Sequence, residues 1–321
     1  METPGEACKW LIYLLLCIAA DALDTILSVV ASNSRPKPHV LPSDVDELSD
    51  NQILELTQKA SKLHSSSAIF RITPHTVAKA SQDLDEDAAD ASEANALTLV
   101  FAKTKIPVPR VRRVVKRKWD HLIVMDYVRG STLAEIWSNL SIRKKICVAF
   151  ILRRYVRQLH CLKASPTTPP GPLSVQGPRI CESPIFGQVR SHRGPFASYA
   201  ELSAFFKKRC KMTLDSNQVP EDDPSRKESF DDSSPLVLTH QDINPRNIIA
   251  GEDGRLWMID WAWAGYYPPW FEYVAMQRQK KNEEYIGFKD HFWENLIPFV
   301  CGPYFRQEKW LLRMSRGLYF K

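Results

Sequence analysis

Thr239-His240-Gln241-Asp242-Ile243-Asn244-Pro245-Arg246-Asn247, with Asp260 following thirteen positions after Asn247, is the stretch from which the fold can be worked out. Between them lie two apolar runs around the pair Asp253-Gly254. Such a pair signals a hairpin, because Gly accepts the positive φ of a tight primed turn. With Asp253 and Gly254 as the two loop residues, Glu252 pairs with Arg255, and Asn247 is expected opposite Asp260 at the open end. Directly opposed residues have Cα atoms roughly 4.5–5.5 Å apart. An amide oxygen and a carboxylate can then converge on one hard cation such as Mg²⁺. Asp242, in the loop entering the hairpin, can face the same ion and an acceptor hydroxyl. A lone Asp and Asn near a hairpin would be ordinary surface. Two Asp and an Asn at this spacing, preceded by the apolar Leu236-Val237-Leu238, point to phosphoryl transfer.

The segment resembles the catalytic loop of the aminoglycoside phosphotransferase family, within the protein-kinase-like superfamily, and is similar to its fungal-type members. His240, Asp242 and Asn247 match His-x-Asp-x-x-x-x-Asn, and Asp260-Trp261 matches the second metal-binding Asp with an aromatic after it. The run Ala264 to Tyr273 resembles the family's Gly-aromatic-x-Pro-x-aromatic-x-Glu segment, and the likeness covers roughly Ser49 to Trp310. It implies an α+β, bilobal protein-kinase-like fold, with an antiparallel sheet plus helix in the small lobe and a large, mostly helical lobe. The expected division is 1–40 as hydrophobic leader and linker, 41–129 as the nucleotide-binding lobe, and 130–321 as the catalytic and substrate lobe.

The chain has 321 residues, enough for two cores, and 44% apolar content suits a globular protein. Its net charge of +6 comes from 43 basic and 37 acidic residues that are intermixed. The densest basic stretch, Arg110 to Lys118, reads as the solvated face of a hairpin. No nucleic-acid signature accompanies it, so no nucleic acid partner is expected. Seven cysteines without a Cys-x-x-Cys pair read as reduced thiols and favour a cytoplasmic location.

Trp10 to Ala20 is an eleven-residue apolar run closed by Asp21 and Asp24. It is too short to span a bilayer, and Glu2 and Glu6 give it the wrong charge for a secretory signal. Membrane association through residues 10–31 is therefore disfavoured. An anchor, an extra helix packed on the core and a misassigned start stay open as readings. Asn33 to Pro38 reads as a linker.

In the small lobe, Ser49-Asp50-Asn51-Gln52 has capping-box spacing ahead of a helix with Ile53, Leu56, Ala60 and Leu63 on one face. Ala68–Ile72 and Thr76–Ala80 read as paired strands around Thr73-Pro74. In the second, Val77 and Lys79 share a face, because strand side chains alternate. From Asp83 onward a helix is expected, with Asp83, Asp85, Glu86 and Asp87 near its positive end. Glu93, Leu97 and Val100 form a stripe that turns Glu93 inward, and an inward carboxylate needs a partner. Lys79 is the natural one. Val111–Val115 and Leu122–Tyr127 read as two further strands.

By the resemblance, Lys79, oriented by Glu93, contacts the α- and β-phosphates of ATP. Met125 and Tyr127 belong to the hinge whose backbone meets the adenine, Asn247 and Asp260 hold Mg²⁺, and Asp242 aligns a substrate hydroxyl and accepts its proton. One departure stands out. No glycine occurs between Gly5 and Gly130, so a Gly-rich phosphate loop is missing, and its place falls near His64-Ser65-Ser66-Ser67. The reading is an ATP- and Mg²⁺-dependent small-molecule kinase. A catalytically weak pseudokinase or nucleotide-binding scaffold is the alternative.

In the large lobe, Ile146, Ala149, Leu152, Val156 and Leu159 mark the buried stripe of a helix over Arg143–Lys163. Pro220–Ser234 reads as a mobile acidic insert and as the only candidate acidic cluster for a polycationic substrate. His240 reads as structural. For Arg246, a phosphate contact and a brace against a carboxylate are both open.

Overall fold

The computed structural model describes residues 4–30, 42–63, 68–81, 83, 89–187, 189–285 and 287–319. The linker Asn33–Pro38, His64–Ser67 and the acidic Asp85, Glu86 and Asp87 lie outside the described residues.

The small lobe opens with α2 (Asp50–Lys59). Ser49 accepts from the Gln52 amide, while the Gln52 side chain accepts from the Ser49 amide. Both halves of the expected capping box are present. Strands β1 (Ile69–Arg71), β2 (Thr76–Ala80), β3 (Val111–Lys116) and β4 (His121–Asp126) form an antiparallel sheet in the order β1-β2-β4-β3. A single bridge, Lys62 to Phe70, pairs the chain after α2 with β1. Ile53, Ala78, Leu122 and Val124 pack between α2 and one face of the sheet.

Helix α3 (Ser92–Lys103) starts nine residues later than expected. Asp83 and Asp90 do not occupy its first turn. They hold the preceding loop instead: Asp83 accepts from the Ser92 amide at 3.2 Å, and both aspartates pair with Arg179 of the large lobe. A buried guanidinium 96 residues away competes better for these carboxylates than a helix dipole, whose pull is worth roughly 0.3–1 kcal/mol.

The large lobe begins with β5 (Gly130–Thr132) and the short α4 (Leu133–Ile136), then α5 (Ile142–Cys161). β5 pairs with β8 (Ile248–Gly251), which pairs with β9 (Leu256–Met258). A second small sheet joins β6 (Gly171–Pro172), β10 (Gly265–Tyr267) and β7 (Val237–Thr239). The remaining helices are α6 (Tyr199–Ser216), α7 (Trp270–Tyr285), α8 (His291–Cys301), α9 (Phe305–Arg313) and α10 (Ser315–Tyr319). Ala149, Leu152, Val156 and Leu159 of α5 are buried as expected, but Ile146 is 43% exposed. The insert 220–234 is anchored, contrary to expectation: Phe230 is 3% exposed, stacks on Phe206 and meets Trp270 and Trp310 edge-on. The ion pairs of Arg226 with Asp215 and of Glu228 with Arg313 hold the polar segment just ahead of this ring.

Gly130 joins the lobes at φ +146°, and a Cβ there would stand 2.2 Å from the Ala250 carbonyl oxygen. Backbone cannot yield as a flexible side chain does. Gly130→Ala is expected to lower the unfolding free energy by about 2–3 kcal/mol, read by denaturant titration. A loss below 0.5 kcal/mol would contradict this account of the joint.

Helix α1 (Pro4–Val30) lies against the large lobe. Arg153 of α5 donates to both Asp21 carboxylate oxygens at 2.8 Å and to the Phe299 carbonyl at 2.6 Å. Cys17 and Ala20 are buried beneath it. Of the three readings of this segment, the structure presents a helix packed on the core.

Candidate functional site

The hairpin β8–β9 is present, but its register differs by one residue from the expected one. Ile248 pairs with Met258 and Ala250 with Leu256. Gly251 accepts from the Gly254 amide and donates to the Arg255 carbonyl, so the loop is Glu252-Asp253-Gly254. Asp253 supports this longer turn by accepting from the Arg255 amide at 3.0 Å and from Trp257 Nε1 at 3.2 Å, and Gly254 takes φ +75°. Asn247 therefore faces Ile259, whose amide donates to its carbonyl at 3.0 Å. A one-residue slip normally turns a side chain to the opposite face. Here Asp260 adopts φ +62°, which breaks the strand alternation and brings its carboxylate to Lys79. Such a conformation costs roughly 1–3 kcal/mol for a non-glycine residue and persists only where surrounding contacts enforce it.

Those contacts are ionic. Lys79 Nζ donates to Glu93 at 2.8 Å and to Asp260 at 2.6 Å. Lys79 and Glu93 side chains are 5% and 3% exposed, while that of Asp260 is 39% exposed. Burial works against the Lys79 charge, but the two carboxylates outweigh it and hold the ammonium above the usual lysine range. Burial, with Asp260 nearby, pushes the deeper Glu93 up. For Asp260 burial also acts upward, but Lys79 prevails and holds it below the usual range. Glu93 additionally accepts from the Trp261 amide at 3.2 Å, tying α3 to the segment after β9.

Asp242 is held from three sides. Asn247 Nδ2 donates to its carboxylate at 2.7 Å and to its carbonyl at 3.0 Å, Asn244 Nδ2 donates at 2.9 Å, and Gln279 of α7 donates to the same oxygen as Asn244. Burial first, and the Asp260 charge second, push the Asp242 carboxyl up to about 8. With its nitrogen committed to Asp242, the Asn247 amide leaves Oδ1 without a donor among the described residues. Arg246 takes the second of its two readings, bracing the loop through Glu283 at 2.6 Å.

Gln241, at φ +67°, makes the loop turn sharply, and Glu272 receives the two amides this exposes, His240 at 2.6 Å and Gln241 at 2.9 Å. Burial pushes Glu272 up to about 7 even so. Gln279 and Glu283 escaped the sequence reading, since nothing local marks a polar residue of α7 as the neighbour of Asp242 37 residues earlier. The family segment did flag Glu272, though not its task.

His240 is fully buried, accepts from the Asp242 amide through Nδ1 at 3.2 Å, and reaches the Ile259 carbonyl through Nε2 at 3.1 Å. Its proton therefore sits on Nε2, and charging the ring would cost the Nδ1 bond. Burial holds its pKa down at about 4 against an ordinary 6.5. A depressed imidazole supplies stability above the unfolded pKa and loses it as pH falls. The unfolding free energy is thus expected to drop by roughly 3 kcal/mol from this ring between pH 7 and 4. Half-buried His160, also held at about 4 by burial of its ring, acts in the same direction. Denaturant titrations of wild type, His240→Gln and His160→Gln check it; pH slopes identical in all three would refute the assignment.

Met125 is buried in β4, and Tyr127 follows it, its amide donating to the His75 carbonyl at 2.8 Å. Tyr127 lines a cleft of about 620 Å³ together with Arg71, Gly130, Ser131, Ile136 and Ala250, between the hinge and β8. Met125 does not line it. The structure thus brings together two bonded groups, Glu93–Lys79–Asp260 and Asp242–Asn247, joined through the backbone bond from the Ile259 amide to the Asn247 carbonyl, with Tyr127 on a neighbouring cleft. Among the described residues, no three His, Cys, Asp or Glu are grouped to hold a metal.

A sequence model of the phosphotransferase enzyme family matches residues 57–294, most of the chain and the whole of this site. The chain belongs to that family. No curated protein matches it. Among solved structures, aminoglycoside phosphotransferase APH(3'')-Id from Streptomyces rimosus, in complex with ADP and streptomycin, is 16% identical, with TM-score 0.47 over 85% of this chain and 100% of that one. Macrolide 2'-phosphotransferase MphH from Brachybacterium faecium is 14% identical, with TM-score 0.44 over 84% and 91%. The ligand named in the first belongs to that enzyme. The chain has the α+β architecture expected of it, an antiparallel four-stranded sheet with helices followed by a mostly helical part.

Proposed function

We propose that this phosphotransferase moves the γ-phosphoryl group of ATP to a hydroxyl of a small molecule in a Mg²⁺-dependent reaction. The observation that carries this reading is the bonded group Glu93–Lys79–Asp260 beside Asp242–Asn247. Asn247 Oδ1 and the outer Asp260 oxygen fit a hard cation, which would complete its shell with phosphate and water oxygens as Mg²⁺ commonly does. Bound there, the cation would neutralise charge on the transferring group. Lys79, kept charged by two carboxylates and oriented by Glu93, exchanges Asp260 for phosphate oxygens. The Tyr127 side of the cleft takes the base. Asp242, fixed by Asn244, Asn247 and Gln279, aligns the acceptor hydroxyl and takes its proton.

The side chains around Asp242 favour an acceptor of low charge. Glu283 is neutralised by Arg246, and Gln279 and Asn282 contribute amides. Of the insert's carboxylates, Glu228 is engaged with Arg313, and Asp232 with Ser203 and Lys207, while Glu221 and Asp222 are exposed. A polycation would find little charge here to meet it. The nucleotide-binding scaffold stays as a second reading because of the glycine-free small lobe.

Thermal-shift titration with ATP, with and without Mg²⁺, tests binding, and ATP consumption across a panel of neutral alcohols and polyamine-bearing sugars tests transfer. Mg²⁺-dependent stabilisation with turnover on a neutral alcohol is expected. Binding without turnover on any acceptor favours the scaffold, and absence of both refutes the proposal.

A further inference from the structure

Helix α1 wears its amphipathicity inside out. A surface helix of a globular protein normally buries its apolar stripe and offers charge to water. In α1 the carboxylates face the protein: Asp21 pairs with Arg153 and Arg157, Asp24 with Arg154, and Glu6 with Lys309. The apolar residues face outward, with Leu11, Leu15, Ile18 and Ile26 each 49–60% exposed. From Trp10 to Ile26 this face runs about 24 Å along the helix.

The face continues onto α5. Ile142, Ile146 and Phe150, each 40–55% exposed, repeat every four residues, and the next member of that row is Arg154, which holds Asp24 of α1. Eleven of the seventeen exposed large apolar side chains among the described residues belong to these two helices. Such concentration marks an interaction surface, whereas scattered exposed hydrophobics are ordinary. It also explains the exposed Ile146.

We propose that this surface seats the protein on an anionic lipid bilayer, with α1 lying in the plane of the interface. No helix of the described residues is long and apolar enough to cross a membrane. An interfacial helix does not cross: it sinks its apolar side to the headgroup–acyl boundary, roughly 5–10 Å deep, and anionic headgroups add attraction to nearby basic residues. The charges left over match that partner. All three described carboxylates of α1 are paired, while Lys9 on α1 and Arg143 and Lys144 on α5 have no carboxylate partner among the described residues. Trp10, at the start of the apolar face, is the residue type enriched at headgroup level. A second copy is a worse occupant, because a two-fold contact through this face would bring like basic charges together.

The test is co-sedimentation of the full chain with vesicles of 70% phosphatidylcholine and 30% phosphatidylserine. Wild type is expected to pellet with them and to bind pure phosphatidylcholine at least fivefold more weakly. Leu15→Ser/Ile18→Ser should cut binding about tenfold with an unchanged circular dichroism spectrum, since both residues point away from the core. Arg143→Gln/Lys144→Gln should cut it about twentyfold, each charge near an anionic surface being worth about a factor of five. Wild type that stays in the supernatant, or a serine variant that pellets equally, overturns the proposal. So does a micromolar dimer in sedimentation velocity that the serine substitutions dissociate, which would give the face to a second copy.

Discussion

Asp242→Asn is expected to lower kcat by about 10²–10⁴-fold, the span typical for removal of a general base, with ATP affinity unchanged within about twofold. The substitution is nearly isosteric: its one oxygen can still accept from Asn244 and Gln279, which share an Asp242 oxygen, while Asn247, bonded to the other, would face an amide nitrogen. What disappears is the oxygen able to take the acceptor's proton. Gln279→Ala gives an informative contrast. It frees one side of the Asp242 carboxylate and should cost less, roughly tenfold, mainly in kcat. Folded Asp242→Asn that binds ATP and turns over at the wild-type rate would remove Asp242 from its proposed role.

Lys79→Met should have the largest effect on stability, a loss of about 3–5 kcal/mol, because it strands Glu93 and Asp260 together without their shared cation. Glu93 has a buried oxygen without a hydrogen-bond partner already, so it has no local means of compensation. Adding Glu93→Gln to Lys79→Met removes one of the stranded charges and should restore more than half of the loss, a coupling that denaturant titration of the two single variants and the double variant would measure. Additive losses would mean that Lys79 and Glu93 contribute independently, against the geometry at 2.8 Å. Activity should not return in the double variant, since no lysine ammonium is left to meet the phosphate oxygens. The stability readout and the activity readout therefore separate the structural from the catalytic share of the same lysine.

Where causes were local, residue patterns sufficed. The capping box at Ser49 acts over four residues. The alternation that pairs Val77 with Lys79 acts over three, and the stripe Glu93-Leu97-Val100 spans two turns of helix. All three stand in the structure where the pattern places them. The pairing of Lys79 with Glu93 was legible too, because an inward carboxylate and an inward ammonium on neighbouring elements have few other ways to avoid the cost of burial.

The remainder depended on partners far away in the chain. The start of α3 was moved by Arg179, the acidic insert was docked by Phe230 in an aromatic core, and the hairpin register was set by a turn whose Asp253 side chain favours three loop residues over two. Asp260 meets Lys79, 181 residues away, through a left-handed backbone that this ion pair helps to hold. Glu272, Gln279 and Glu283 shape the loop around Asp242 from a helix that nothing in the loop's own sequence announces. The outward apolar face of α1 belongs to the same class, because only the ion pairs with Arg153, Arg154, Arg157 and Lys309 decide which side of the helix meets the protein. Sequence alone determined the capping box, the strand alternation and the inward stripe of α3, since those rest on periodicity and spacing, and the likeness of the Asp242 loop to a phosphotransferase family implied the kind of fold. Tertiary structure decided the register, the buttresses and the orientation of α1, since a charge or a ring chooses its partner by proximity in space.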